Sequence, residues 1–261
     1  MMNYWADEIL QQESLTELEK VPINHCKISF LGGSGRASKA LALSLDVLGK
    51  LGCNFPRGKA GQVAKALASL KSTKLPEHDL SAMPSMIDET KKACMVLMIN
   101  ASTYAHYCEW PFAMIMCAAR MVRWTAKYGV DSTSPVAFAL FAFIQIAVHQ
   151  NFERASNFAD LGLSLLDDKD KTYMSRAYYI SWFLVLPRRR PIHSTLKHLL
   201  SGYKFGMEGK LFEPFITFAV ISLQSETLYL LPYVCHSWRC GKCHVECEYV
   251  YLCCARGWEI S

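Results

Sequence analysis

Between residues 133 and 209, four apolar stretches alternate with polar, helix-breaking joints at a nearly even spacing, a pattern that predicts stacked helix pairs. The first stretch opens at Thr133-Ser134-Pro135, where Ser or Thr is able to cap a helix and proline is tolerated in the first turn, and continues through the apolar run 136–148. The second covers 152–166, with Phe158, Leu161 and Leu165 on one stripe and the small residues Ala155, Ala159 and Gly162 on another. The third covers 171–186 and stops where Pro187 and Pro191 bracket Arg188, Arg189 and Arg190. The fourth runs over 193–208, ahead of Gly209. Alternate stretches start about every 40 residues, a spacing typical of helical-hairpin repeats.

The same periodicity extends upstream. Residues 3–19 set Trp5, Ile9, Leu10, Leu15 and Leu18 among acidic residues and predict a first amphipathic helix. Residues 36–51 predict a strong helix with Leu41, Leu45 and Leu48 on one face, broken by 52–58 and resumed over 59–70 by Val63, Ala66, Leu67 and Leu70. Residues 72–85, with Pro76 and Pro84, read as a long connection holding one helical turn around 79–83. Asp88-Glu89 starts a helix that reaches Tyr107, and Trp110-Pro111 starts another that closes at Tyr128-Gly129. A last, very apolar helix is expected over 212–230, with Phe215, Phe218, Val220, Ile221 and Leu223. The expected fold is therefore all-α: a right-handed stack of antiparallel helix hairpins with an irregular, Cys-rich C-terminal tail. Its expected divisions are 1–87 (N-terminal hairpins and connection), 88–230 (helical repeats) and 231–261 (an unstructured tail).

Composition agrees with a folded chain, since 261 residues with 51% hydrophobic and 12% aromatic content supply an ample core. The net charge of +5 comes from 28 basic against 23 acidic residues, without a concentrated basic stripe, so no nucleic-acid partner is expected. Arg188 to Arg190 read as a solvated joint between helices. The acidic start, with Asp7, Glu8, Glu13, Glu17 and Glu19, has no basic segment leading into an apolar core, so no signal peptide is expected and cytoplasmic residence follows. The run 136–148, interrupted by Gln145, falls short of the roughly 20 residues that span a bilayer, and no membrane partner is expected.

Candidate chemistry is sparse. Gly32-Gly33-Ser34-Gly35, between a short strand-like apolar run and a helix, has the general form of a phosphate-binding turn. No Walker string occurs, Ser38 stands where the dinucleotide pattern needs its third glycine, and no second strand follows, which favours a joint between helices over a nucleotide loop. His106 and Cys108 have no further ligand at metal-binding spacing, and Met95, Met98, Met114, Met116 and Met121 fall at core intervals. Nothing places Ser, His and Asp in a nucleophile elbow, so no catalytic residue and no cofactor are assigned. Cys26, Cys53, Cys94, Cys108 and Cys117, scattered among apolar residues, read as small core hydrophobes in a reducing compartment. The other six cysteines crowd the last 27 positions. There Cys240, Cys243, His244 and Cys247 are the candidate zinc ligands, and Cys240-Gly241-Lys242-Cys243-His244 also has the form of a c-type haem attachment string. An unpacked tail without metal is the plainer reading of that segment.

The strings LDVLGKLGCNFP (45–56), MVLMINASTYAHY (95–107), MVRWTAKYG (121–129), the whole of 133–166 and LLSGYKFGMEGKLFEPFITFAV (199–220) are similar to parts of large predicted-ATPase signalling proteins. In that family a protein-kinase-like domain and a STAND-type ATPase precede an array of tetratricopeptide-like helices, often followed by sensor, histidine-kinase or cyclase modules. The likeness covers about residues 30–230. The chain has no Walker loop, kinase Gly-rich loop, His-Arg-Asp string or Asp-Phe-Gly string, so the resemblance carries over no ATP-handling residue. It implies the family's helical region alone, a tetratricopeptide-like α-solenoid that is non-enzymatic and binds other proteins or adjacent signalling domains. The change of character after Leu231 implies a chain cut off where the array would continue. The outer face of 212–230 is then expected to be partly uncovered and to promote self-association.

Overall fold

Two side-chain caps, first-turn prolines and glycine stops set several of the helix limits in this chain. The computed structural model describes residues 6, 8–56, 58–76, 80–167 and 171–208, and apart from one isolated parallel bridge between Ser85 and Val130 their regular structure is helical. The helices are α1 (Val21–Gly33), α2 (Ala37–Lys50), α3 (Lys59–Ser72), α4 (Glu89–Tyr107), α5 (Pro111–Tyr128), α6 (Ser134–His149), α7 (Phe152–Ser164), α8 (Met174–Tyr179) and α9 (Ile192–Glu208). A 3-10 turn, Leu80–Ala82, interrupts the long connection between α3 and α4. Asp88 starts α4 by accepting the Lys91 N–H at 3.0 Å, and Asn151 starts α7 by accepting the Arg154 N–H at 2.9 Å. Proline occupies the first turn of both α5 and α6.

Two helices end through glycine in the left-handed region. At the end of α1, Gly35 (φ 72°) donates to Gly32 O at 3.0 Å and Arg36 donates to Leu31 O at 2.9 Å. At the end of α2, Gly52 (φ 82°) donates to Gly49 O at 3.0 Å and Cys53 donates to Leu48 O at 2.8 Å. Both are Schellman closures, which satisfy carbonyls that the helix leaves unpaired.

Several expectations are corrected. The helix expected over 3–19 ends at Leu10 among the described residues, and turns follow. Thr16 and Glu19 explain the interruption. Thr16 donates its N–H to Glu19 Oε2 at 2.8 Å, and the Glu19 N–H returns to Thr16 Oγ1 at 3.3 Å, a capping box that restarts the chain toward α1. The apolar run before the glycines is the last part of α1 and not a strand. The single helix expected over 171–186 is α8 continued by a π turn, Ile180–Val185, and a 3-10 turn, Leu186–Arg188. Pro187 removes an N–H donor and crowds the carbonyl four residues back, and the chain meets it by leaving α geometry. Of the five scattered cysteines, Cys53, Cys94 and Cys117 are buried as expected, whereas Cys26 is exposed and Cys108 is half-buried. The helix expected over 212–230 and the tail 231–261 lie outside the described residues.

The chain divides into two compact units between Leu166 and Asp167. In the first, α1 packs on α2, both pack on α4, and α3 packs on α5; α4 packs on α5, α5 on α6 and α6 on α7. Phe138, Phe141 and Phe158 are fully buried between α6 and α7, and Met95, Leu97, Met98 and Ile99 fill α4's share of the core. The small stripe of α7 brings the backbones close, since a Cβ on Gly162 would lie 2.9 Å from Phe138 Cβ and 3.0 Å from Pro135 O. In the second unit α9 packs on α8 and on the π turn, with Tyr178 against Phe205 at 5.4 Å between ring centroids.

The α4 cap gives a first test. Lys91 bonds the Asp88 carboxylate through its N–H and its ammonium, and these bonds hold the carboxyl below the usual carboxylate range. Asp88→Ala is expected to cost about 1 kcal/mol at neutral pH, as caps of this kind do. Because the folded-state value is depressed, the carboxylate's contribution is complete above the ordinary Asp range and is lost as the pH falls through the folded value. Urea denaturation of both proteins at neutral and strongly acidic pH checks this: the gap should close in acid, and a constant gap refutes it.

Candidate functional site

The one cluster of chemically active side chains that the described fold gathers from distant positions lies where α2, α4 and α5 meet the loop after Gly52. The Schellman closure turns the chain back, so Cys53 lands against the end of α2 and is only 2% exposed. Cys94, from the second turn of α4, is 1% exposed. Arg120 reaches the pair from α5: its Nη1 donates to Cys53 Sγ at 2.8 Å and its Nη2 to Asn54 O at 3.0 Å. The guanidinium also lies over the Phe55 ring, 4.3 Å from the centroid, which fixes its plane. Further along, Gln62 Nε2 donates to Pro56 O at 2.9 Å and Trp110 Nε1 donates to Gln62 Oε1 at 3.1 Å, tying this loop to α3 and to the start of α5.

The two thiols are driven apart electrostatically. The hydrogen bond from Cys94 is the largest influence lowering the Cys53 thiol from its ordinary range; the charge and hydrogen bond of Arg120 add to it, against burial, which raises it. For Cys94 the bond to the Cys53 sulfur comes first, then burial, and both raise it. Cys53 is therefore the more acidic of the two thiols, and the Arg120 guanidinium that donates to its sulfur favours its ionised form. Cys117, fully buried in α5, is pushed up to about 12 by burial and stays a thiol.

The sequence motifs fare differently. In the Gly32 to Gly35 turn, the N–H groups of Ser34, Gly35 and Arg36 donate to Phe30, Gly32 and Leu31 carbonyls, so they close a helix C-terminus. Gly32 is required for a close approach, because its Cβ would come 2.2 Å from the Tyr104 ring. Arg188 and Arg189 are exposed as expected, whereas Arg190 lies over Trp182 at 5.2 Å, and Trp182 stacks on His198 at 3.8 Å and 7°. Burial, then the charges of Lys197 and Arg190, lower His198. His106 is lowered by burial, and no group of three or more metal-ligating side chains occurs among the described residues. The tail candidates Cys240, Cys243, His244 and Cys247 lie outside those residues. No helix among the described residues is long and apolar enough to cross a membrane.

Sequence reasoning passes over the thiol pair because 53, 94 and 120 share no short spacing. Arg120 is the available signal: it is the single charged residue in the apolar run 112–122, and a lone cation there needs a partner. Compared with protein-family models, with curated proteins and with solved structures, the chain gives no match.

Proposed function

We propose that the chain is a non-enzymatic helical-repeat scaffold that works through contact with other proteins or adjacent signalling domains, as the helical region of a larger ATPase or kinase signalling protein would. The observation that carries this reading is the recurrence of helix starts: α6 and α8 begin at Ser134 and Met174, α7 and α9 at Phe152 and Ile192, so both steps are 40 residues. Packing of α2 on α4 and of α3 on α5, together with the consecutive pairs from α4 to α7, supports it, since stacked hairpins bury their faces against neighbours in sequence. Free thiols at all five described cysteines support a reducing, cytoplasmic setting.

The rival reading is nucleotide binding at Gly32 to Gly35. Calorimetric titration of the purified chain with ATP and with NAD separates the two. The scaffold reading expects no heat of binding from either nucleotide, together with a protein partner that co-elutes with the chain at fixed stoichiometry. Saturable nucleotide binding that disappears when Gly33 and Gly35 are both replaced by valine would overturn it.

A further inference from the structure

Arg120 is one of three arginines that stand close together and meet no acid. Its Nη2 donates to Asn54 O at 3.0 Å; one turn further along α5, Arg123 Nη1 donates to Ser72 Oγ at 3.0 Å; from α7, Arg154 Nη2 donates to Thr73 O at 2.6 Å. Arg120 and Arg123 are neighbours on one helix face, and Ser72 and Thr73 are consecutive at the end of α3, so the three guanidiniums follow one another toward that end. Arg123 feels its neighbour, for burial first and then the charge of Arg120 lower it. Lys71 and Lys74, both exposed, bracket Ser72 and Thr73 and add two more positive charges. None of these side chains forms an ion pair among the described residues, and Glu153, beside Arg154 in sequence, is exposed and bonded to none of them.

Capping of α3 explains only part of this gathering. A helix C-terminus carries about half a negative charge, and one basic side chain donating to its last carbonyls satisfies it. Three guanidiniums and two ammoniums exceed that several-fold. Each guanidinium holds five N–H donors in a fixed fork, of which Arg123 and Arg154 each use one in the bonds above. All three arginines are half-buried, so each is held by its surroundings while part of it stays open to solvent. Leu67 and Leu75, two of the exposed large apolar side chains, lie on either side of Lys71 and Lys74 in the chain.

Resting on the scaffold reading and giving its partner a chemistry, we propose that Arg120, Arg123 and Arg154, flanked by Lys71 and Lys74, form the docking surface for an acidic segment of a partner protein, a run of Asp and Glu interrupted by leucine. Each carboxylate takes two donors of one guanidinium, the pairing that a rigid fork favours over a point charge. The incoming acids also offset the mutual repulsion of Arg120 and Arg123. Leucines of the segment meet Leu67 and Leu75, a mixture that suits a peptide and not a nucleic-acid backbone, which has no aliphatic side chains.

The full-length chain is titrated into an eight-residue peptide, Glu-Asp-Leu-Glu twice over, carrying an uncharged fluorophore, and anisotropy is read at low salt. Saturable binding is expected, about ten-fold tighter than that of the same peptide with Gln and Asn in place of its acids, and weaker as salt is raised. Arg123→Gln, which gives up only the exposed bond to Ser72, should weaken binding about ten-fold. Arg123→Lys should fall in between, because the charge stays and the fork is lost. Arg189→Gln, an exposed arginine outside the cluster, should change nothing. The proposal is overturned if the acidic and amidated peptides behave alike, or if Arg189→Gln weakens binding as much as Arg123→Gln. It is overturned too if an oligothymidylate of eight nucleotides binds more tightly than the peptide, which would make the surface a nucleic-acid site. Circular dichroism confines the comparison to folded variants, and the wild-type titrations need no variant. A peptide that does not bind counts against this surface alone, whereas the scaffold reading falls on a separate measurement, the absence of any co-eluting protein.

Discussion

Gly129→Ala should lower the stability of the first unit by about 3 kcal/mol, combining backbone strain with weakened buried hydrogen bonds. Gly129 follows the last residue of α5 with φ 108° and ψ 171°, a region that is almost closed to any residue with a Cβ. Space is lacking as well, for the new carbon would lie 2.4 Å from Pro84 O and 3.0 Å from Met86 N, both backbone atoms that no rotamer change can move. Those atoms belong to the bridge that ties the α3–α4 connection to the end of α5: Met86 donates to Val130 O at 2.8 Å and Val130 donates to Pro84 O at 3.1 Å. Forcing the two segments of the bridge apart weakens both bonds, and Met86, 1% exposed, loses its seat. A melting temperature roughly 10 °C lower is expected, taking a few degrees per kcal/mol for a chain of this size. Gly33→Ala is the control, since its Cβ meets nothing within 4 Å and its φ is ordinary; its effect should stay within about 1 kcal/mol. Coincident melting of Gly129→Ala and wild type would show that the bridge contributes nothing.

How far the sequence can be read follows from which forces act locally. The limits of α4, α5 and α6 are legible because Asp88, Pro111, Gly129 and Pro135 each act on their own turn. Gly162 and its small neighbours likewise foretell a close helix contact, seen against Phe138 and Pro135. Thr16 and Glu19 are equally local, but the amphipathic pattern across 3–19 hides a capping box that breaks the helix. The π turn at Ile180–Val185 is hidden for a different reason: its residues are as apolar as those of an α-helix, and periodicity does not register a change of winding. The thiol pair is least legible. Cys53 depends on a Schellman turn, Cys94 on the packing of α2 against α4, and Arg120 on α5 lying beside them, so the site is a product of tertiary contacts.

Phe158→Ala should be the most damaging single substitution in the α6 and α7 pair, at about 3–5 kcal/mol, the range for removing a fully buried aromatic side chain. Phe158 is fully buried and stands edge-on to Phe141 at 4.9 Å and 66°, with Phe138 6.2 Å away. The gap left by the ring cannot collapse easily, because Gly162 already brings α7 against Pro135 and Phe138. A second loss lies at a distance: the Arg154 guanidinium rests over the Phe158 ring at 5.8 Å while its Nη2 donates to Thr73 O at 2.6 Å, so the ring helps to aim the side chain that ties α7 to the end of α3. Phe158→Leu keeps most of the buried area and should lose less than half as much. Combining Phe158→Ala with Phe141→Ala isolates the ring contact, and the pair should fall short of additivity by about 1 kcal/mol. Chemical denaturation of the four proteins provides the numbers. If the two losses simply add, the edge-on contact carries no energy of its own; if Phe158→Ala unfolds at the wild-type midpoint, α6 and α7 are not held together through this ring at all.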